Sequence, residues 1–137
     1  METRYELHPV GWVESPLVAR DQAPRQGDEG APDAWLVIAP DMQAAMRDLE
    51  VGAEIVVLTW LDRARRDVQL VHPRGDPASA QRGVFSTRSP DRPNPIGLHT
   101  VQILAIEGTR IRVRNLEALN GTPIVDIKPP LEPVGER

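Results

Sequence analysis

Cysteine is absent from this 137-residue chain. Disulfides, thiolate nucleophiles and cysteine metal sites are therefore all excluded. Aromatic residues are scarce, at 4% of the chain (three Trp, one Tyr, one Phe), so a core has to be built from aliphatic side chains. No apolar run reaches membrane-spanning length. The opening Met-Glu-Thr-Arg-Tyr-Glu is too charged for a signal peptide, so a soluble cytoplasmic protein is expected. The three histidines, His8, His72 and His99, show neither HxH nor HExxH spacing, and a metal site is not expected. Positive charge is not in excess: the formal net charge is −4. That excludes an extended histone-like basic surface but leaves room for a local arginine patch that meets a few phosphates. GxGxxG and a βαβ rhythm are both missing, so a Rossmann nucleotide site has no support.

What the chain has in quantity is turn formers, fourteen prolines and ten glycines. They cut it into short elements and favour β structure. Val10–Glu14, Trp35–Ala39, Ala53–Leu61, Val68–Val71, His99–Glu107, Arg110–Arg114 and Ile124–Ile127 read as seven strands. The apolar run Ala53–Leu61 predicts a central strand covered on both faces. From His99 to Glu107 the alternation puts Val101, Ile103 and Ala105 on one face and Gln102, Leu104 and Ile106 on the other. Asp41 to Leu49 predicts the one helix, capped by Asp41, with Met42, Ala45, Met46 and Leu49 as an apolar stripe read as core. Residues 19–34 form a long polar loop, a length that is often functional or disordered. The expected fold is all-β: one domain over residues 1–137, a small closed barrel of short mixed strands with one short helix.

The most unusual stretch is Gly83-Val-Phe-Ser-Thr-Arg-Ser-Pro-Asp-Arg-Pro-Asn-Pro-Ile-Gly97. Pro90, Pro93 and Pro95 fix three φ angles and remove three donors, so neither a helix nor a central strand can run through them. Gly83 and Gly97 are expected as chain reversals at its ends. The result is a stiff, extended frame carrying Thr87, Arg88, Ser89, Arg92 and Asn94. It is either a preorganised binding loop or a rigid turn with solvated arginines. Other polar segments sit at strand ends: Pro24-Arg25-Gln26, Leu61-Asp62, and Asn120-Gly121-Thr122-Pro123. Asn120-Gly121 alone is an ordinary turn signal. Asp126 and Lys128, two apart on a strand, share a face and read most simply as an ion pair. His99 reads more simply as a satisfied or exposed histidine than as a base. The arginines 110, 112 and 114 share one strand face, either solvated or set against phosphates.

The proline-rich segment resembles the signature of the TsaA-like (YaeB, TrmO) family, as does Asp126-Ile-Lys-Pro129 after Asn120-Gly-Thr-Pro123. The resemblance runs in order from Val10-Gly-Trp-Val-Glu-Ser-Pro16 to Pro130. It implies a YaeB-like β-barrel, S-adenosyl-L-methionine as methyl donor, a homodimer, and N6-methylation of threonylcarbamoyladenosine beside the tRNA anticodon. Carried over by motif, the donor contacts are Arg25, Gln26, Leu61, Asp62, Arg88, Arg92, Thr100, Asn120, Gly121, Thr122 and Pro123. Asn94, Lys128 and Arg112 are the candidate contacts to a tRNA substrate, and Asp126 is the candidate catalytic base. Three departures stand out: Leu61-Asp62 replaces the usual Phe-His, Asn120 replaces Asp, and Pro130 replaces Tyr. The alternatives are a methyltransferase of the same fold acting on a small molecule, and a donor-binding regulatory module without turnover. The dimer is expected to cover Val84, Phe85, Ile96 and Leu98, unless these four enter the barrel's own core.

Overall fold

The structure, a computed structural model, describes residues 2–131. Eight strands are present: β1 (Gly11–Glu14), β2 (Ala34–Ile38), β3 (Glu54–Trp60), β4 (Leu70–Val71), β5 (Arg82–Gly83), β6 (Ile96–Glu107), β7 (Arg110–Val113) and β8 (Pro123–Lys128). Six of them form a closed barrel in the cyclic order β1-β2-β7-β6-β3-β8, and β4 and β5 make a separate two-stranded ribbon. Every pairing is antiparallel, which corrects the expectation of mixed strands. Connections as short as Gly108-Thr109, between β6 and β7, join only antiparallel neighbours. Among the described residues no helix is long and apolar enough to cross a membrane.

The core is aliphatic, as the shortage of aromatics requires. Leu36, Ile103, Ile111, Leu116 and Ile124 are fully buried, each worth about 1.5–3 kcal/mol of transfer free energy. β3 does not have two covered faces. It alternates, with Ile55, Val57 and Thr59 inward and Val56, Leu58 and Trp60 half-buried outside. A closed sheet has only one inside, so an apolar run in it places half its residues on the outer wall. β6 is twelve residues long, pairing with β3 through its first half and with β7 through its second. Its register shifts between Ile103 and Ala105, a bulge that inverts the alternation. Ala105 therefore leaves the inward face, and Ile106 packs against the core opposite Ile111.

The expected helix is a 3-10 turn, Pro40–Met46, with no buried residue. Pro40 starts it, Arg47 is extended, and Asp48 has φ 72°, so the chain leaves helical geometry before an α-helix can propagate. Only Met46 and Leu49 of the predicted stripe touch the core, and Met42 is exposed.

Candidate functional site

One open cleft of about 2170 Å³ runs beside the first half of β6. Its walls come from the loop 20–28, the segment 61–75, the proline-rich loop with the start of β6, and the segment 114–122. Nine arginines and seven acidic residues line it, a local excess of positive charge on a chain that is negative overall.

The proline-rich loop is held by its own arginine. The Arg92 guanidinium donates to three backbone carbonyls, Thr87 O and Ser89 O at 3.0 Å and Val84 O at 2.8 Å. Three missing proline donors leave carbonyls without the usual backbone partners, and a planar fork of N–H groups fits several at once. Arg88 is exposed and makes one hydrogen bond, to Leu98 O at 3.1 Å, which leaves most of its fork available. Gly83 and Gly97 are not reversals: each lies in a strand, Gly83 in β5 and Gly97 in β6.

The loop is also pinned from outside. Asp91 accepts from Arg65 N at 2.9 Å and from Arg20 Nη2 at 3.1 Å. Burial pushes its carboxyl up, but the Arg65 amide and the Arg20 guanidinium outweigh that and hold it below the usual range. Arg66 lies over Trp60, 5.1 Å from the ring centroid, and donates to Pro93 O at 2.7 Å and Asn94 Oδ1 at 2.9 Å. Arg63 donates to Val18 O at 2.6 Å. The cluster of Arg63, Arg65 and Arg66 thus serves largely to fasten loops together.

Of the residues singled out by motif, Arg25, Gln26, Leu61, Asp62, Arg88, Arg92, Asn94, Thr100 and Thr122 line the cleft. Arg25 is steadied by a 2.8 Å bond to Arg74 O. The Thr122 hydroxyl is spent on Leu119 O at 2.7 Å. Asn120, Gly121 and Pro123 are not among the lining residues. Gly121 has φ 84°, and the Asn120 side chain accepts from Ser15 N at 3.1 Å, so this stretch builds a turn. Asp126, Lys128 and Arg112 are elsewhere. Asp126 and Lys128 lie exposed on the outer wall at 3.8 Å from each other. Arg112 lies outside β7 at 3.7 Å from Asp33, and Arg110 binds Glu14 at 2.7 Å. Arg114 alone of that trio lines the cleft.

Sequence reasoning missed one cluster at the cleft floor. His99 is 5% exposed, with Nε2 at 2.7 Å from Thr59 Oγ1 and Nδ1 at 2.5 Å from Glu117 Oε1. The signal was present: His99 is two residues from Val101 and so shares its inward phase. Glu117 carried no signal, because it lies in an irregular segment.

The chain resembles known proteins along most of its length. It is 44% identical to a probable S-adenosyl-L-methionine-binding protein of Archaeoglobus fulgidus over 124 residues, 90% of this chain and 33% of that protein. A protein of the same description from Methanothermobacter thermautotrophicus is 46% identical, covering 98% of this chain and 94% of the relative. The crystal structure of TrmO from Pseudomonas aeruginosa superposes with a TM-score of 0.75 at 26% identity, covering 98% of this chain and 61% of the other. The chain thus spans about a third of the first of these relatives and under two thirds of the solved structure. The family model for the tRNA-methyltransferase O N-terminal domain matches residues 12–134, nearly the whole chain, and the chain belongs to that family.

Proposed function

We propose that this chain is an S-adenosyl-L-methionine-dependent methyltransferase that methylates N6 of threonylcarbamoyladenosine beside the tRNA anticodon, working as a cytoplasmic homodimer. Family membership supports the methyl-transfer reading. The observation that carries it to a polyanionic substrate is the cleft, whose lining holds nine of the chain's sixteen cationic residues against seven acidic ones. When bound, the donor supplies a methyl group on a sulfonium, ready for in-line displacement.

The chain's own task is alignment of donor and acceptor. The residues present fit a zwitterionic donor. Arg88 offers an exposed guanidinium at the lip, suited to a carboxylate. Arg25, Gln26, Leu61, Asp62, Thr100 and Thr122 line the same cleft, and Asn120, Gly121 and Pro123 flank Thr122 in sequence. Arg92 acts on the donor through the shape of the loop. Asn94 and Arg114 face the acceptor side. Asp126, Lys128 and Arg112 lie on the outer wall of their own barrel, so in this reading a second copy brings them to an acceptor. Phe85, Ile96 and Leu98, at 89%, 47% and 48% exposure, form the apolar surface for that copy, whereas Val84 is buried in its own chain.

A second reading, transfer to a small molecule, is favoured by Leu61-Asp62 in place of Phe-His. A third, donor binding without turnover, agrees with the binding-protein descriptions of the archaeal relatives. One experiment separates them: the purified protein is incubated with methyl-labelled donor and tRNA bearing threonylcarbamoyladenosine, and the digested nucleosides are read by mass spectrometry. Label in that nucleoside supports the proposal. Unlabelled tRNA, with S-adenosylhomocysteine released only when metabolite pools are added, moves the assignment to the second reading. No release under either condition moves it to the third.

A further inference from the structure

The Thr59–His99–Glu117 chain has a direction that hydrogen-bond accounting supplies. Thr59 is fully buried, and among the described residues its hydroxyl has no partner but His99 Nε2. A buried O–H left without an acceptor is costly, so the hydroxyl donates to Nε2. Nδ1 then carries the ring proton and donates to Glu117 Oε1. All three groups are satisfied with the imidazole neutral, and the Glu117 carboxylate keeps its negative charge.

That charge is left without a counter-ion. Among the described residues Glu117 has no arginine or lysine within ion-pair distance, although nine arginines line the same cleft. Its side chain is only 20% exposed. A partly buried carboxylate opposed by a neutral ring costs free energy unless something cationic meets it. Oε1 is held by His99. Oε2 lies 3.2 Å from where a Cβ on Gly27 would stand, so it sits against the backbone that follows Arg25 and Gln26. Glu117 lies three positions before Asn120. Glu117 therefore stands on the cleft floor between the two segments already read as donor contacts.

We infer that Glu117, oriented by His99 and Thr59, is the anionic contact for the cationic part of the methyl donor. The inference rests on the donor-binding reading above and adds a residue that no motif assigned. S-Adenosylmethionine carries two candidate cations, the sulfonium and the α-ammonium. S-Adenosylhomocysteine keeps only the ammonium, and 5′-methylthioadenosine has neither. The three ligands therefore report which charge Glu117 meets.

The test is calorimetric titration of the wild type and of Glu117→Gln with each ligand. The amide keeps an oxygen for the His99 N–H and removes only the charge. The expected result is that Glu117→Gln binds S-adenosylmethionine about ten- to a hundredfold more weakly, the range for a hydrogen bond to a charged group, with methylthioadenosine unchanged. A parallel loss for S-adenosylhomocysteine assigns the contact to the ammonium, and a smaller loss assigns it to the sulfonium. Glu117→Asp, which keeps the charge, should preserve most of the wild-type preference for S-adenosylmethionine over methylthioadenosine. Equal weakening of all three ligands by Glu117→Gln, or unaltered S-adenosylmethionine binding, overturns the inference and leaves the donor-binding reading intact. Failure of the wild type to bind any of the three overturns the donor-binding reading itself, and this one with it.

Discussion

A methyl group added at position 97 has no space to occupy. A Cβ there would stand 2.7 Å from His99 Nε2 and closer still to Thr59 Oγ1, its partner across the β3–β6 ladder. The glycine is in β6 for this close approach, and its φ is ordinary for a strand. Gly97→Ala is expected to push the imidazole off Thr59 and to destabilise the protein by about 1–3 kcal/mol, the usual cost of overpacking. Urea denaturation measures the loss, and the His99 ring resonances should shift with it. Asp91 yields a pH prediction. Its folded carboxyl titrates below its ordinary value of 3.8. The stabilisation from its bonds to Arg65 and Arg20 is thus complete above that value. It is lost as the pH falls through the lower folded value. Asp91→Asn should therefore be less stable than wild type at neutral pH, and the gap should narrow below about pH 3.8. Equal melting temperatures at neutral pH would remove Asp91 from the list of loop anchors.

The proline-rich loop shows how an element without ladder bonds is kept in one shape. Prolines restrict its backbone, and Arg92 gathers its carbonyls. A lysine keeps the charge but not the planar fork, so Arg92→Lys should loosen the loop almost as much as Arg92→Ala. Hydrogen exchange over residues 84–91 should rise in both variants, and Arg88→Ala should leave exchange unchanged while weakening donor binding. Equal protection in Arg92→Lys and wild type would count against the carbonyl-gathering role. Elements of this kind were only partly legible in the sequence. The strict alternation of Arg110–Arg114 gave β7 and its inward Ile111 and Val113, and the prolines gave the stiff loop. The β6 bulge was not legible, because Leu104, Ala105 and Ile106 suit either phase and only pairing with β7 decides. The 3-10 turn Pro40–Met46 carried a helical spacing of apolar residues, but periodicity registers neither segment length nor what lies opposite. At the site, the motif residues of the cleft were found by type and order. The His99–Glu117 pair was not, since it joins residues eighteen apart that only the closed barrel brings together.

For the molecule as a whole, the uneven distribution of charge makes a prediction about RNA. Arg110 and Arg112 are each paired with a carboxylate on the outer wall, while Arg88 and Arg114 line the cleft. If tRNA phosphates are bound in the cleft, Arg114→Ala should shallow the dependence of affinity on salt by somewhat under one unit, and Arg112→Ala should not. The reverse result would move the RNA to the barrel wall. The exposed apolar trio predicts a dimer at micromolar concentration, and Leu98→Asp should shift the light-scattering mass towards one chain. A monomeric wild type would sink the assembly proposal. Barrel closure also has a consequence for synthesis. The seam joins β1 to β8, with Gly11 opposite Ile124 and Trp12 opposite Pro123, so residues more than a hundred positions apart seal the core. A nascent chain whose ribosome has not yet released residues 123–128 holds five of the six barrel strands with an unsealed gap. Two unpaired edges then stand beside Val13 and Val57. Closure of the barrel waits for the last strand, and the interval before it emerges is when the chain most needs a chaperone.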